Sequence, residues 1–425
     1  MESNRLNLAF SSYTNMKNII KLSTFFCLLS IASSSIAQFE NWYSIQSGTN
    51  TDLWGVSAPT QDVVYICGSD GLIKKSINGG VNWSTLNSGV NLALFNIYFF
   101  DADKGLVIGN NGTMLRTING GQSWISVTPS GLPANFHFRG IAFVDSNIGY
   151  ASGGVSGLSG KIYKTTNGGV SWTALSLSSP DVIGSLRFLS SQIGFASNYD
   201  GDVYKTINGG NSWTLVPTGL GVLMFELDFS DNDNGLVIGS GGTIIKTTNG
   251  GNLWSTIDGG VTDYLSSVKF YDGNNAFVVG GDVDENSATI LATDDGGLTW
   301  EFYYPLENRL TRMTFYSSSL GYAVGITGAL MKYDNPSSVG ELENEVYCLV
   351  YPNPARHHLN LQLNPDYCNY NIQVMDISGR SVLSNQFNNT GFHTIDTSAL
   401  SEGVYLLRLT EVKSGKTLVR RFVKE

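Results

Sequence analysis

Ser76-Ile77-Asn78-Gly79-Gly80-Val81-Asn82-Trp83 is the stretch whose reading decides the fold. It returns as Thr117 to Trp124, Thr165 to Trp172, Thr206 to Trp213, Thr247 to Trp254 and Thr293 to Trp300. The pattern is Ser or Thr, any residue, Asn or Asp, two Gly, any two residues, then Trp. Asn-Gly and Asp-Gly pairs supply the positive φ angles that tight strand-to-strand turns need. The hydroxyl and the Asn or Asp side chain tie down nearby backbone groups. The predicted role of Asn78, Asn119, Asn167, Asn208, Asn249 and Asp295 is therefore to build turns. Trp83, Trp124, Trp172, Trp213, Trp254 and Trp300 are predicted to pack over those turns. A site built six times over is scaffold, not catalysis.

Including Trp42, successive Trp residues are 41, 41, 48, 41, 41 and 46 residues apart. A period of 40–50 residues marks a propeller or solenoid. Within one unit, Phe95 to Phe100, Gly105 to Gly109, Thr113 to Thr117 and Ser123 to Val127 read as four short strands, the number in a propeller blade. First strands are expected near Leu53, Phe95, Phe138, Gly184, Phe225, Leu265 and Leu310, which makes seven blades. The last unit ends at Pro336 without its Trp, while Asn41-Trp42-Tyr43-Ser44-Ile45 stands alone before the first unit. The economical arrangement has the N-terminal strand complete the last blade and leave no open edge. An open solenoid would leave both ends uncapped. The predicted class is all-β, a seven-bladed propeller over 38–336 followed by a small sandwich.

The flanks read as addresses. Leu22 to Ala32 is an apolar run of signal-peptide length, preceded by Lys17 and Lys21. Ser35-Ile36-Ala37 suits cleavage between Ala37 and Gln38, so 1–37 is an expected leader whose true start is Met1 or Met16. The run is too short for a permanent transmembrane span, and Phe25 and Phe26 beside Cys27 do not suit a lipobox. After a linker over 337–349 the texture changes to period-2 strands. Tyr351-Pro352-Asn353-Pro354, Asp376 to Arg380 and Gly403-Val404-Tyr405-Leu406-Leu407-Arg408 punctuate a predicted sandwich over 350–425. Of the cysteines left by cleavage, Cys348 and Cys368 can pair in an oxidising exterior, and Cys67 reads as a small buried hydrophobe.

The six turns resemble the Asp-box, or BNR, motif of sialidases and related propellers. The fuller unit, with Gly-x-x-x-Lys-Thr-x-Asn-Gly-Gly-x-x-Trp, resembles the photosystem II stability and assembly factor family over 39–335. Ser76 replaces Thr in the first copy; Asp295 replaces Asn in the sixth, which also has Ala292 where the others have Lys or Arg. The tail resembles the C-terminal sorting domain of the type IX (Por) secretion system. That resemblance implies export across two membranes, then release or anchoring at the cell surface, with the secretion machinery as partner.

Composition narrows the function further. The formal net charge of −10 argues against a dedicated nucleic-acid binder. The cysteines and histidines carry no zinc or metalloprotease spacing, and no cofactor is implied. Asp282, Asp284 and Asn286 copy the start of a calcium loop, but Ser287 and Thr293 stand where it needs Gly and Glu. Arg139, Arg187, Glu226, Asp228, Lys269 and Arg312 lie on or near first strands, which line a propeller's channel. They are the candidate channel-mouth residues. The expected function is a non-catalytic secreted or surface module that binds protein or polysaccharide. The alternatives are an Asp-box glycoside hydrolase using a carboxylate pair and an envelope-complex assembly factor.

Overall fold

The computed structural model describes residues 39, 41–177 and 179–335, and, further on, 348–351, 355–363, 370–376, 380–387, 392–411 and 417–424. The expected leader with its Ala37/Gln38 cut, nearly all of the linker and Cys368 lie outside these residues. The chain divides into two compact units, 1–338 and 339–425.

Among the described residues of the first unit there are seven four-stranded antiparallel sheets. Six are simple meanders; blade 5, for example, runs through Met224–Phe229, Gly235–Gly239, Ile244–Thr247 and Ser255–Ile257. In the seventh, Leu310–Ser317, Leu320–Gly325 and Leu330–Asp334 are completed by Trp42–Ser44, with Trp42 opposite Tyr333. The N-terminal strand thus closes the ring as expected. Outer strands are shorter than expected: blade 2 keeps only Ile125–Ser126 of the predicted 123–127. Both residues are exposed, so little burial extends the pairing. The extra residues at 153–160 are not a loose loop either. They lengthen the hairpin of Gly149–Val155 and Ser159–Thr165.

The core lies between blades. Seven apolar clusters each join neighbouring sheets, such as Leu236, Ile238, Leu265 and Val268 between blades 5 and 6. Second strands are buried along nearly all of their length, so they read as runs of small and apolar residues rather than alternations. A glycine opens four of them, and is the second residue of the one in blade 7, because a Phe near the end of the first strand lies directly opposite. A Cβ on Gly105 would sit 2.6 Å from the Phe99 ring, and Gly149, Gly194, Gly235 and Gly321 meet Phe143, Phe188, Phe229 and Phe315 in the same way. In blade 1 the Phe is replaced by Ala58, and Val64 stands in place of the glycine.

The Asp-box turns are built as their chemistry predicts. Thr206 Oγ1 accepts from Gly210 N–H at 2.9 Å and donates to Asn208 Oδ1 at 3.0 Å; Oδ1 also accepts from Ser212 N–H at 2.9 Å. Gly209 and Gly210 sit at φ 67° and 85°. Equivalent bonds hold Asn78, Asn119, Asn167, Asn249 and Asp295. Each turn is also fastened to the blade before it. Arg116 Nε donates to Gly168 O at 3.0 Å, Lys164 Nζ to Gly209 O at 2.9 Å, Lys205 Nζ to Gly250 O at 2.6 Å and Lys246 Nζ to Gly296 O. This accounts for Ala292. Its blade precedes the one that has no Asp-box, so a cation there would have no turn to hold.

In the second unit Cys348–Tyr351, His358–Leu363 and Phe392–Asp396 form one sheet. Ser381–Phe387, Tyr370–Asp376, Gly403–Glu411 and Thr417–Lys424 form another. Alternate residues Leu359 and Leu361, Ile372 and Val374, and Leu407 and Leu409 meet in a common core with Phe422. The expected sandwich is therefore present. Arg380 closes its turn on Asp376 through Nε to Oδ2 at 3.0 Å. Whether Cys348 and Cys368 pair lies outside the described residues.

Candidate functional site

All seven first strands carry the same irregularity. The register slips by one residue near the start: between Leu53 and Gly55, Leu94 and Asn96, Phe138 and Gly140, Ile183 and Ser185, Met224 and Glu226, Leu265 and Ser267, and Leu310 and Arg312. A bulge leaves one residue unpaired and re-aims its side chain. The bulged residues are Trp54, Phe95, Arg139, Gly184, Phe225, Ser266 and Thr311, and every one lines a single cavity of about 370 Å³ at one end of the channel. Tyr199, Tyr264, Arg309 and Arg312 complete its wall. No carboxylate contributes to that wall among the described residues.

The aromatic groups run round much of the ring. Trp54 meets Phe95 edge-on at 6.2 Å, Tyr199 meets Phe225 at 6.0 Å, and Phe225 stacks on Tyr264 at 5.8 Å. Trp54 Nε1 is anchored to Ser69 Oγ at 2.9 Å. The Arg139 guanidinium lies over the Phe95 ring, 3.8 Å from its centre. Burial lowers the pKa of Arg139, as does the nearby charge of Arg312. Burial also lowers that of Arg309, against a weaker upward pull from Asp52. The buried Nε atoms of Arg139, Arg309 and Arg312 find no hydrogen-bond acceptor among the described residues.

Deeper in the channel the strands are tied by polar pairs. Glu226, only 4% exposed, is the hub. Its Oε1 takes Lys269 Nζ at 2.9 Å and Arg312 Nη1 at 3.0 Å. Its Oε2 accepts from Val268 N–H at 3.1 Å and from the Ser267 hydroxyl. Burial pushes its pKa up, but Lys269, Arg312 and Ser267 together outweigh that and hold the carboxyl below its ordinary range. Asp228 accepts from Phe270 N–H at 2.9 Å and pairs with Arg187 Nε at 3.2 Å. Ser57 to Phe99 N–H, Ser185 to Leu227 N–H, Ser267 to Met313 N–H and Thr311 to Leu53 O continue the ties round the ring.

The six residues singled out in the sequence do not share one mouth. Arg139 lines the aromatic cavity. Arg187, Asp228 and Lys269 line a second cavity at another level of the channel. Arg312 borders both, and Glu226 is sealed between strands and borders neither. Sequence reasoning passed over Trp54, Phe95, Tyr199, Phe225, Tyr264 and Arg309. Aligning the seven first strands on the residue after Leu53, Leu94 and their equivalents would have found the bulged positions. In the blade 6 loop, Asp282 Oδ1 accepts the N–H groups of Asp284 and Glu285 at 2.7 Å, a local turn. Among the described residues no group of three or more His, Cys, Asp or Glu is placed to hold a metal, and no helix is long and apolar enough to cross a membrane.

Comparison with known proteins agrees with this architecture. Residues 34–192 and 75–222 match the family described as photosynthesis system II assembly factor YCF48, and 349–425 match the secretion system C-terminal sorting domain. No curated protein matches the chain significantly. Among solved structures, YCF48 bound to D1 peptide is 20% identical with a TM-score of 0.56, covering 69% of this chain and 97% of its own. YCF48 from Cyanidioschyzon merolae is 22% identical with a TM-score of 0.56, covering 70% and 99%. PorZ, an essential surface component of the type-IX secretion system of Porphyromonas gingivalis, is 14% identical with a TM-score of 0.51, covering 86% and 58%. At such identities the likeness concerns the fold. The sorting domain directs the chain through the type IX route to the cell surface or beyond. The chain is thus a BNR-repeat β-propeller resembling the YCF48 assembly factors, carrying a type IX secretion C-terminal sorting domain.

Proposed function

We propose that the propeller is a non-catalytic binding module of the cell exterior, which takes a peptide segment of a partner protein in the aromatic cavity at the channel mouth. The observation that carries this is the wall of that cavity: aromatic and arginine side chains from all around the ring, and no carboxylate. Apolar pockets with a few convergent polar groups are the usual form of ligand sites. The peptide complex of YCF48 supports the reading, since it is an instance of this fold holding a peptide.

The channel carboxylates argue against the hydrolase alternative. A glycosidase needs an acid held protonated by its surroundings and a second carboxylate free to act. Glu226 is instead held ionised by two cations and two hydrogen bonds, and Asp228 is engaged by Arg187 and a backbone N–H.

The test incubates the purified chain with a peptide array, a polysaccharide panel and sialylated glycans, following both retention and released sugar. Retention of peptides, lost in Trp54→Ala, with no sugar released, is the expected result. Sugar release that disappears in Glu226→Gln or Asp228→Asn would overturn it.

A further inference from the structure

We propose that the cavity at the channel mouth reads a carboxylate: Arg309 and Arg139 bind an acidic group of the partner peptide, while its flanking apolar side chains lie on Trp54, Phe95 and Phe225. This rests on the peptide reading above and specifies its chemistry.

Three observations converge on it. Firstly, the side chains of Arg139, Arg309 and Arg312 line the same cavity, and their buried Nε atoms find no acceptor among the described residues. With no carboxylate in that wall among the described residues, three arginine side chains lining one space ask for an anionic acceptor from outside. Secondly, the charge of the channel opposes that of the protein. Arg139, Arg309 and Arg312 line the mouth and Arg187 and Lys269 the second cavity, against Asp228 and the sealed Glu226 among the described residues, in a chain of net charge −10. Arg312 is half committed to Glu226, and Asp52, whose charge reaches Arg309, already accepts Thr327 N–H at 2.8 Å. Arg139 and Arg309 remain. A positive, partly desolvated cleft concentrates anions against the field of the rest of the surface. Thirdly, the remaining wall suits an apolar peptide better than a sugar. Its neutral polar side chains are only Ser266, Thr311 and two tyrosines, and the Thr311 hydroxyl is spent on Leu53 O at 2.6 Å. Sugar hydroxyls need many donors and acceptors, and this wall offers few acceptors beyond Ser266 and the two tyrosines; flat aromatic rings beside guanidinium groups accept apolar side chains next to a carboxylate.

The experiment uses fluorescein-labelled nonapeptides of Phe, Leu and Gly in three forms: amidated with a central Glu, amidated with a central Gln, and central Gln with a free C-terminal carboxylate. Anisotropy is measured with the full chain and with Arg309→Met, Arg309→Lys and Trp54→Ala, each checked for unaltered unfolding temperature. The carboxylate probes should bind at least about tenfold tighter than amidated Gln, the size expected of a charge-assisted bond. Arg309→Met should erase that difference, Arg309→Lys should keep part of it, and added salt should shrink it. Whether Glu or the free terminus binds tighter identifies the source of the carboxylate. Equal binding of all three probes, still lost in Trp54→Ala, would overturn the carboxylate reading and leave the peptide site standing. No binding of any probe would overturn both. Tighter binding of a galacturonate hexamer, sensitive to Arg309→Met, would replace the peptide with an acidic glycan.

Discussion

Trp42→Ala should loosen the propeller at its seam. Trp42 is the first residue of the strand that completes the seventh blade, and it is 5% exposed. Its indole packs against Phe277, Phe315 and Tyr333 at ring-centre distances of 5.5, 6.0 and 5.3 Å, so it bridges blades 6 and 7. Burying an indole of about 200 Å² at about 25 cal/mol per Å² gives an upper figure of about 5 kcal/mol. Truncations of buried aromatic residues to Ala cost about 3–5 kcal/mol. The Trp42 Nε1 finds no acceptor among the described residues, so the loss there is one of packing. Trp42→Phe keeps a ring in the cluster and should accordingly cost less than the Ala variant, since it removes less buried area and leaves a smaller void. Thermal unfolding followed by near-ultraviolet circular dichroism is the assay, with limited proteolysis to locate the opening. The Ala variant should melt about 5–10 °C lower, given the few degrees per kcal/mol expected of a large domain. Ile77→Ala, at a site 72% exposed, is the control and should move the midpoint little. A Trp42→Ala midpoint equal to that control would refute the seam as a support of the ring.

Three further outcomes follow from the same geometry. Glu226→Ala strands two cations in the channel and should cost about 3–5 kcal/mol, measured by denaturant unfolding. Because the folded carboxyl is held below its unfolded value, its contribution is full above that unfolded value and fades as pH falls through the folded one. The stability gap between wild type and Glu226→Gln should therefore narrow between about pH 6 and pH 3; a constant gap would contradict the ion-pair assignment. Lys205→Met should destabilise by about 1–3 kcal/mol through loss of its bonds to Gly250 O and Asn252 Oδ1, and a thermal midpoint equal to wild type would contradict the fastening of the turn. Cys67 is fully buried and burial drives its thiol pKa up, so it should resist a thiol reagent in the native protein and react on unfolding; native labelling would refute its burial.

Much of this molecule follows from local chemistry. The Asp-box turns are legible because each is a closed set of bonds within eight consecutive residues, such as Thr206 to Trp213. The closing strand is legible because Trp42 repeats the position of an Asp-box Trp without its turn. The sorting tail is legible from alternation, which its sandwich core reproduces at Leu359, Leu361, Leu407 and Leu409. The channel was only partly legible. Arg139, Arg187, Glu226, Asp228, Lys269 and Arg312 could be assigned to first strands, but strand periodicity assumes an unbroken register. A one-residue bulge in each first strand breaks it and turns Trp54, Phe95 and Phe225 towards the mouth. Arg309 joins them from just ahead of its strand. Turns and repeats are fixed by neighbours along the chain, so the sequence alone determined them. Which side chains meet at the channel mouth depends on seven strands converging from residues hundreds of positions apart, and only the closed ring decides that.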